Sequence, residues 1–381
     1  MIKFSVAGFA EAAKAIRNIP GASREIEILD HARLHARKGQ MTLTMSDLDI
    51  EAHVTFPCEV KGEVLAAVPR AVLEFFIART GGDDAGTLDF DADMKQVVAR
   101  HGKGRVTMQI LPGSDFYLIE TTKFDWTMKL RAHELCEVLR RCEKALSADL
   151  NRVMLHGPFL HQRDGLKLIG ADGNRVHVID LDGPEMTGEL PQRNTDILPG
   201  IIVPPKTAKE IQRIFAGDES EIIVSGTDRL LVIEAEHLRI ASKLIDATYI
   251  DYPRMVPQRT EGRIVVSADA LGRALDGLLV VPKSDAKGKR ETVRTVRITM
   301  REDAIELFAR GDGGDAEDAV EITNEGVKDG TEITFAANFL RDAIDAAGAK
   351  QIAIHPPVDF GMPFHITGAE GAMFVIGQRR M

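Results

Sequence analysis

Cysteine is nearly absent: the 381 residues contain three, Cys58, Cys136 and Cys142. So low and odd a count excludes a disulfide framework. No C-x-x-C pair occurs, so zinc and redox motifs have no support. The thiols read as buried or idle in a reducing compartment. Aromatics are also scarce, with 16 Phe, 3 Tyr and 1 Trp. That disfavours gripping single strands by stacking bases on exposed rings. The longest apolar stretches, such as 278–281, fall far short of the ~20 residues a membrane span needs. The opening MIKFSVAGFAEAAKAI is interrupted by Lys3, Glu11 and Lys14 and does not read as a signal peptide. A soluble, cytoplasmic chain with no membrane partner is expected.

Positive charge is in deficit. There are 48 Lys+Arg against 58 Asp+Glu, a net of -10, which taken alone speaks against a nucleic-acid partner. Catalytic signatures are missing: no G-x-x-x-x-G-K-[ST], no G-x-S-x-G and no H-E-x-x-H. The eleven histidines are scattered. Asp312, Asp315, Glu317 and Asp318 lack the alternation of a calcium loop and read as a solvated hairpin. Asp172-Gly173 is a turn signal first. No catalytic residue, metal or cofactor is expected.

What is present is a repeat. Apolar residues make up 44% and charged residues 28%, enough for several packed cores. Six segments, 2–19, 63–79, 126–146, 200–215, 263–279 and 332–347, each pass from β-type alternation to apolar residues at i, i+3, i+4, i+7. Leu135, Val138, Leu139 and Cys142 show the helical period. Ser267 reads as a helix cap, Pro69 and Pro204 fit a first turn, and Asn338 can cap locally. Helix starts fall near residues 9, 70, 132, 205, 268 and 338, spaced by about 60–70 residues. Between them lie short β runs and turn signals at 81–84, 172–174 and 311–315. The reading is α+β, with six βαβββ-type repeats, two to a domain. Domains are expected at 1–123, 124–260 and 261–381. Neither boundary has a Gly/Ser linker, so the domains should be rigidly joined.

Four motifs carry a family resemblance. TMSDLDIE at 44–51 resembles the T-x-[TS]-D-L-[ED]-x-E signature of the bacterial DNA polymerase III beta subunit, the sliding clamp. IGADGNRV at 169–176 resembles its A-T-D-G-H-R-L, and IIVPPK at 201–206 its V-I-V-P-x-K. SKLID at 242–246 with DYPRMVP at 251–257 resembles S-K-L-[VI]-D-G-x-[FY]-P-D-Y-x-R-V-[IL]-P. The resemblance implies three similar clamp domains closing into a ring as a head-to-tail homodimer, with helices inside and sheets outside. It implies a non-catalytic processivity factor that encircles double-stranded DNA without reading sequence. Its implied partners are the DNA polymerase III alpha subunit, the clamp loader complex and other proteins with a clamp-binding motif.

A sliding ring needs phosphate attraction without base contacts. The helical windows 9–19, 69–79, 132–146, 204–216, 268–279 and 337–350 hold 13 Lys+Arg and 10 Asp+Glu, a net of +3 against -13 elsewhere. Candidate phosphate contacts are Lys206, Lys209 and Arg213, then Arg140, Arg141 and Lys144, then Arg24, Arg70 and Arg79. An ordinary solvated helix face would account for much of the same count.

The resemblance also implies a partner-peptide pocket for apolar and aromatic anchors. Its residues here are Leu155, Ala171, Gly173, Asn174, Arg175, Val176, Ile250, Arg254, Met255, Val375 and Ile376. The bland reading of the apolar members is ordinary core. The tail departs from the family: Gly377, Gln378 and Arg379 replace an apolar, proline-containing stretch, and Ile250 stands where a proline is expected. Weaker or shifted preference for the usual clamp-binding peptide follows. For dimerisation, RVTMQ at 105–109 matches an edge strand, putting Val106 and Met108 at the interface with Leu278 and Leu279 across it. The alternative reading is a clamp-like paralogue or decoy without a processive role.

Overall fold

The computed structural model describes all residues except 21–25, 81–84, 122, 193–197, 258–259, 261, 281–293, 360, 369–370 and 381. Arg24 and the 81–84 turn therefore lie outside the described residues.

Six α-helices appear among the described residues: α1 Val6–Ile16, α2 Arg70–Ile77, α3 Ala132–Glu143, α4 Pro205–Ile214, α5 Ala268–Leu278 and α6 Ala337–Ala347. Their starts agree with the sequence pattern, but α1 begins three residues earlier than expected. The reason is Ser5, whose Oγ accepts the Gly8 N–H at 3.4 Å. Ser267 caps α5 in the same way, accepting from Ala270 N–H at 3.3 Å. Side-chain caps of this kind satisfy orphan donors of the first turn. Asn338 does not cap as expected. The N-cap of α6 is Ala336, without a side-chain bond, and Asn338 lies inside the first turn. The far end of α6 closes on Gly348 at φ +62°, a left-handed stop that glycine adopts at no steric cost.

Each helix turns one apolar stripe inward. In α5 this is Ala268, Leu271, Ala274, Leu275 and Leu278, and in α1 it is Val6, Phe9, Ala10, Ala13 and Ile16. A buried Leu or Phe contributes roughly 1.5–3 kcal/mol each, so the stripe, not propensity, holds these short helices.

The chain forms two compact units. One comprises Met1–His133, Glu185–Glu189 and Lys209–Leu244, the other Glu134–Pro184, Leu190–Ala208 and Ile245–Met381. The first unit holds a five-stranded and a ten-stranded sheet, the second a twelve-stranded sheet. Each large sheet runs through an expected domain boundary. In the first unit, strand Ile50–Pro57 pairs antiparallel with Leu238–Lys243, Ala52 opposite Ile240. In the second, Arg175–Leu181 pairs with Ala372–Ile376, Val176 opposite Val375. Pairing in this way satisfies edge groups that would otherwise stay open.

Among the described residues, the strands with an open edge include the following two. Strand Gly104–Gln109 ends the five-stranded sheet. Strand Asp315–Glu325 pairs through 315–321 with Ala304–Arg310, and only its last residues also meet Arg263–Ser267.

Candidate interaction surfaces

Two of the sequence motifs turn out to be the same structural device. Asp47 Oδ1 accepts the N–H groups of Asp49 and Ile50 at 3.0 and 2.8 Å. Asp172 Oδ1 accepts those of Asn174 and Arg175 at 2.8 and 3.2 Å. Both are aspartate-closed turns between antiparallel strands. Gly173 takes φ +90°, and a Cβ there would collide with the Arg152 guanidinium. The Thr and Glu of the first motif serve a buried network. Glu51, 1% exposed, meets His53 Nε2 at 2.5 Å and accepts the Ile119 N–H at 3.0 Å, while His53 Nδ1 meets Thr44 Oγ1 at 2.9 Å. Thr44 is fully buried, so this arrangement offers no nucleophile to a substrate. It anchors residue 119, after the last strand of the first repeat pair.

The basic candidates are mostly engaged within the fold. Arg140 pairs with Glu137 at 2.7 Å, Arg213 with Glu210 at 2.7 Å and Arg70 with Asp30 at 3.1 Å. The Glu137 bond raises the Arg140 guanidinium above its usual value and holds the Glu137 carboxyl below its own. Arg213 also donates to the carbonyls of Lys14 and Ala15. Arg141 donates Nε to the Ala346 carbonyl at 2.6 Å, and burial holds its guanidinium below the usual value. Lys144 is exposed, and Arg79 is exposed with its guanidinium 3.9 Å from the Phe75 ring centre. Lys209 is exposed and Lys206 half-buried.

Over the helices as formed, the expected positive excess disappears. α4 carries +2, α1 and α2 are neutral, and α3, α5 and α6 carry -1 each, leaving -1 over the six. The +3 of the longer windows came from Arg17, Arg79, Lys144 and Lys350, all just past helix C-termini. Cations there complement the helix dipole. Arg17, which pairs with Glu74 at 3.3 Å, was not among the sequence candidates.

The pocket candidates divide between two faces of one sheet. Val176 opposes Val375 and Val178 opposes Met373, whereas Arg175 opposes Ile376 and His177 opposes Phe374. Successive side chains alternate faces. The first face belongs to a packed cluster of Leu155, Phe159, Ile169, Ala171, Val176, Val178, Ile202, Tyr249, Tyr252 and Val375. Met154, Ile250, Met255, Val256 and Met373 pack against it, only partly covered. Arg175 and Ile376, also expected in the pocket, lie on the other face. Arg175 faces the helices, where it meets Asp172 at 3.0 Å, Asp342 of α6 at 2.6 Å and the Lys144 carbonyl, and lies over the Phe339 ring. Ile376 is fully buried on that same side. Leu155, Ala171, Val176 and Val375 are 0–3% exposed, so they form the floor beneath a surface rather than the surface itself. Val178, Tyr252 and Met373, not among the sequence candidates, belong to or pack on this cluster. Strand alternation from Val375 could have found Met373 in place of Ile376.

Arg254 is exposed and bonds Asp251 at 2.6 Å. The tail is occupied by backbone-directed bonds. Gly377 N–H donates to the Asn174 carbonyl at 2.8 Å, and Arg379 N–H to the Thr334 carbonyl at 2.8 Å. The Gln378 amide accepts from Thr334 N–H at 3.3 Å and donates to the Met362 carbonyl at 2.8 Å.

Val106 and Met108 are half-buried on one side of the free edge strand, between exposed Arg105, Thr107 and Gln109. Leu278 does not suit an interface: it is 1% exposed, on the inward stripe of α5. Leu279, at the helix end, is half-buried. Among the described residues there is no group of three or more His, Cys, Asp or Glu able to hold a metal ion. No helix there is long and apolar enough to cross a membrane.

Comparison with known proteins adds three findings. Residues 129–251 match the family described as DNA polymerase III beta subunit, central domain. The beta sliding clamp of Caulobacter vibrioides is 23% identical over 344 residues, covering 88% of this chain and 87% of that protein. That of Vibrio cholerae is 23% identical over 339 residues, with the same coverage. Among solved structures, the polymerase sliding clamp of Caulobacter crescentus superposes with a TM-score of 0.86 at 20% identity, covering 100% of this chain and 99% of that one. The DNA polymerase III subunit beta of Pseudomonas aeruginosa gives 0.86 at 19% identity, covering 100% of each.

Proposed function

The chain belongs to the DNA polymerase III beta sliding clamp family as a divergent member, and from that premise we propose that it is a non-catalytic processivity factor for DNA replication. The observation that carries the reading is the six-fold strand–helix repeat matched to known clamps along the whole chain. In this reading residues 1–123, 124–260 and 261–381 are three clamp domains. Two copies close head to tail around double-stranded DNA in the bacterial cytoplasm, helices inward and sheets outward. The polymerase alpha subunit and the clamp loader complex are its partners.

The charge distribution supports loose contact. Topological closure supplies residence time, so phosphate contacts need only be weak and sequence-independent. Arg140 and Arg213 are half-neutralised by neighbours on their own helices. The exposed Arg79 and Lys144 add to the attraction, as do Lys206 and Lys209 on α4, whose net charge is +2. The open edges of Gly104–Gln109 and of 315–321 suit the dimer contact, because an unpaired edge is a template for a second chain. The basic Lys103 and Arg105 adjoin one edge, and the acidic Asp315, Glu317, Asp318 and Glu321 the other. The surface around Ile250, Met255 and Met373 takes an apolar partner peptide, with Arg254 at its margin.

The test is primer extension on a primed circular template with cognate polymerase and loader. Products lengthened from tens to thousands of nucleotides per binding event are expected. No lengthening, with the chain still binding polymerase in solution, would support the decoy reading instead.

A further inference from the structure

We propose, building on the peptide-binding reading above, that a second, uncharged apolar side chain of the same partner peptide seats in a groove beside Val178 and Met373. The groove has a volume of about 480 Å³ and lies within the second unit. Ligand sites typically occupy ~300–1,000 Å³. Its floor is one cross-strand row, Val178 opposite Met373 and Met373 opposite Thr367. Tyr252 and Val256 form its wall. The row lies two residues along the strands from Val176 and Val375, on the same face, so it continues the surface assigned to the peptide.

Two observations move the anchor toward this groove. The residues that resemblance assigns to the pocket floor are closed over, with Leu155, Ala171, Val176 and Val375 at 0–3% exposure. On the tail side, residues 377–379 are tied to Asn174, Thr334 and Met362. Open volume remains on the groove side. Its charges select the occupant. Lys167 and Asp180 cancel as an ion pair, and Arg163 and Asp164 add one charge of each sign, so the lining has no net charge. Burial pushes the Tyr252 phenol up to about 12, so it stays neutral at neutral pH. A carboxylate or ammonium in the groove would lose hydration against a lining with no net charge to favour it, whereas a leucine loses nothing.

The experiment uses the full chain and fluorescein-labelled peptides read by anisotropy. One is a pentapeptide ending Leu-Phe. The others extend it by Ser-Leu at either end, or by Ser-Asp or Ser-Lys at the same places. One Ser-Leu extension should tighten binding by about tenfold, the scale of one buried leucine, while Ser-Asp and Ser-Lys should not. Filling the groove by Thr367→Trp, or more mildly Thr367→Leu, should abolish that gain and leave the pentapeptide's affinity unchanged. A gain that survives both substitutions, or a larger gain from Asp or Lys, would overturn the groove assignment. If the pentapeptide binds and no extension helps, the groove fails and the peptide surface stands. If no peptide binds, the surface reading fails and takes the groove with it.

Discussion

Arg175 shows how a single residue changes meaning once its partners are known. Its side chain is 8% exposed and shared between Asp172, Asp342 and the Lys144 carbonyl. Removing one member of a buried ion pair leaves an uncompensated charge, so Arg175→Ala should destabilise the chain by about 3–5 kcal/mol in urea denaturation. Arg175→Met with Asp342→Leu should cost less, since only Asp172 then loses its cation, and it keeps the N–H bonds of residues 174 and 175. His177 gives a second prediction at this scale. Its Nδ1 bonds the Arg141 carbonyl at 2.9 Å, and burial lowers its pKa to about 4. An unfolded histidine titrates near 6.5. Between those values the unfolded state binds more protons than the folded one. Stability is therefore full above pH ~6.5 and falls as pH drops toward 4, by roughly 3 kcal/mol for this residue. Denaturation midpoints for the chain and for His177→Phe, measured from pH 7 to 4.5, check this: the variant should lose less.

At the level of elements, the helices read well from the sequence and their charge read poorly. The apolar period and the serine and proline signals placed five of the six starts within a residue, because those cues are local. The apparent positive lining depended on where each helix stops. Arg17, Arg79 and Lys144 sit past the last turn, a distinction of one or two residues that periodicity cannot make. A prediction follows for the cations that still face outward. Replacing Arg79 and Lys209 by Gln should lower the slope of log affinity against log salt by about one for each phosphate left unneutralised, with no change in sequence preference. An unchanged slope would remove both from the DNA-facing set. The turn at residue 173 is a second case. Its φ of +90° and the nearby Arg152 guanidinium make Gly173→Ala costly by about 1–2 kcal/mol, seen as a lowered thermal midpoint.

For the whole molecule, the decisive feature is strand pairing that ignores domain boundaries. The middle repeats share sheets with both neighbours, in the registers Ala52–Ile240 and Val176–Val375. Pairing of this kind uses up strand edges at the expected boundaries, while strand Gly104–Gln109 keeps an open edge. Val106→Asp places a charge on the apolar side of that edge, where docking a partner strand would strip its hydration. The variant should sediment as a monomer at micromolar concentration, while the unaltered chain sediments as a dimer. A dimeric Val106→Asp would exclude this strand from the interface.

The sequence by itself determined the repeat, five of the six helix starts, the turn at Asp172-Gly173 and the family resemblance, all carried by residues within a few positions of one another. Strand alternation was legible there too, and following it would have put Met373 beside Val375. Only the tertiary structure decided which arginines face outward. Arg175 finds its carboxylate in Asp342, 167 residues later in the chain, and Arg141 its carbonyl in Ala346, 205 residues later. It alone showed that Leu155, Ala171, Val176 and Val375 form a closed floor, because exposure depends on what packs above a residue. Local chemistry sets periodicity and turns, and long-range packing sets which charges and apolar groups are left for a partner.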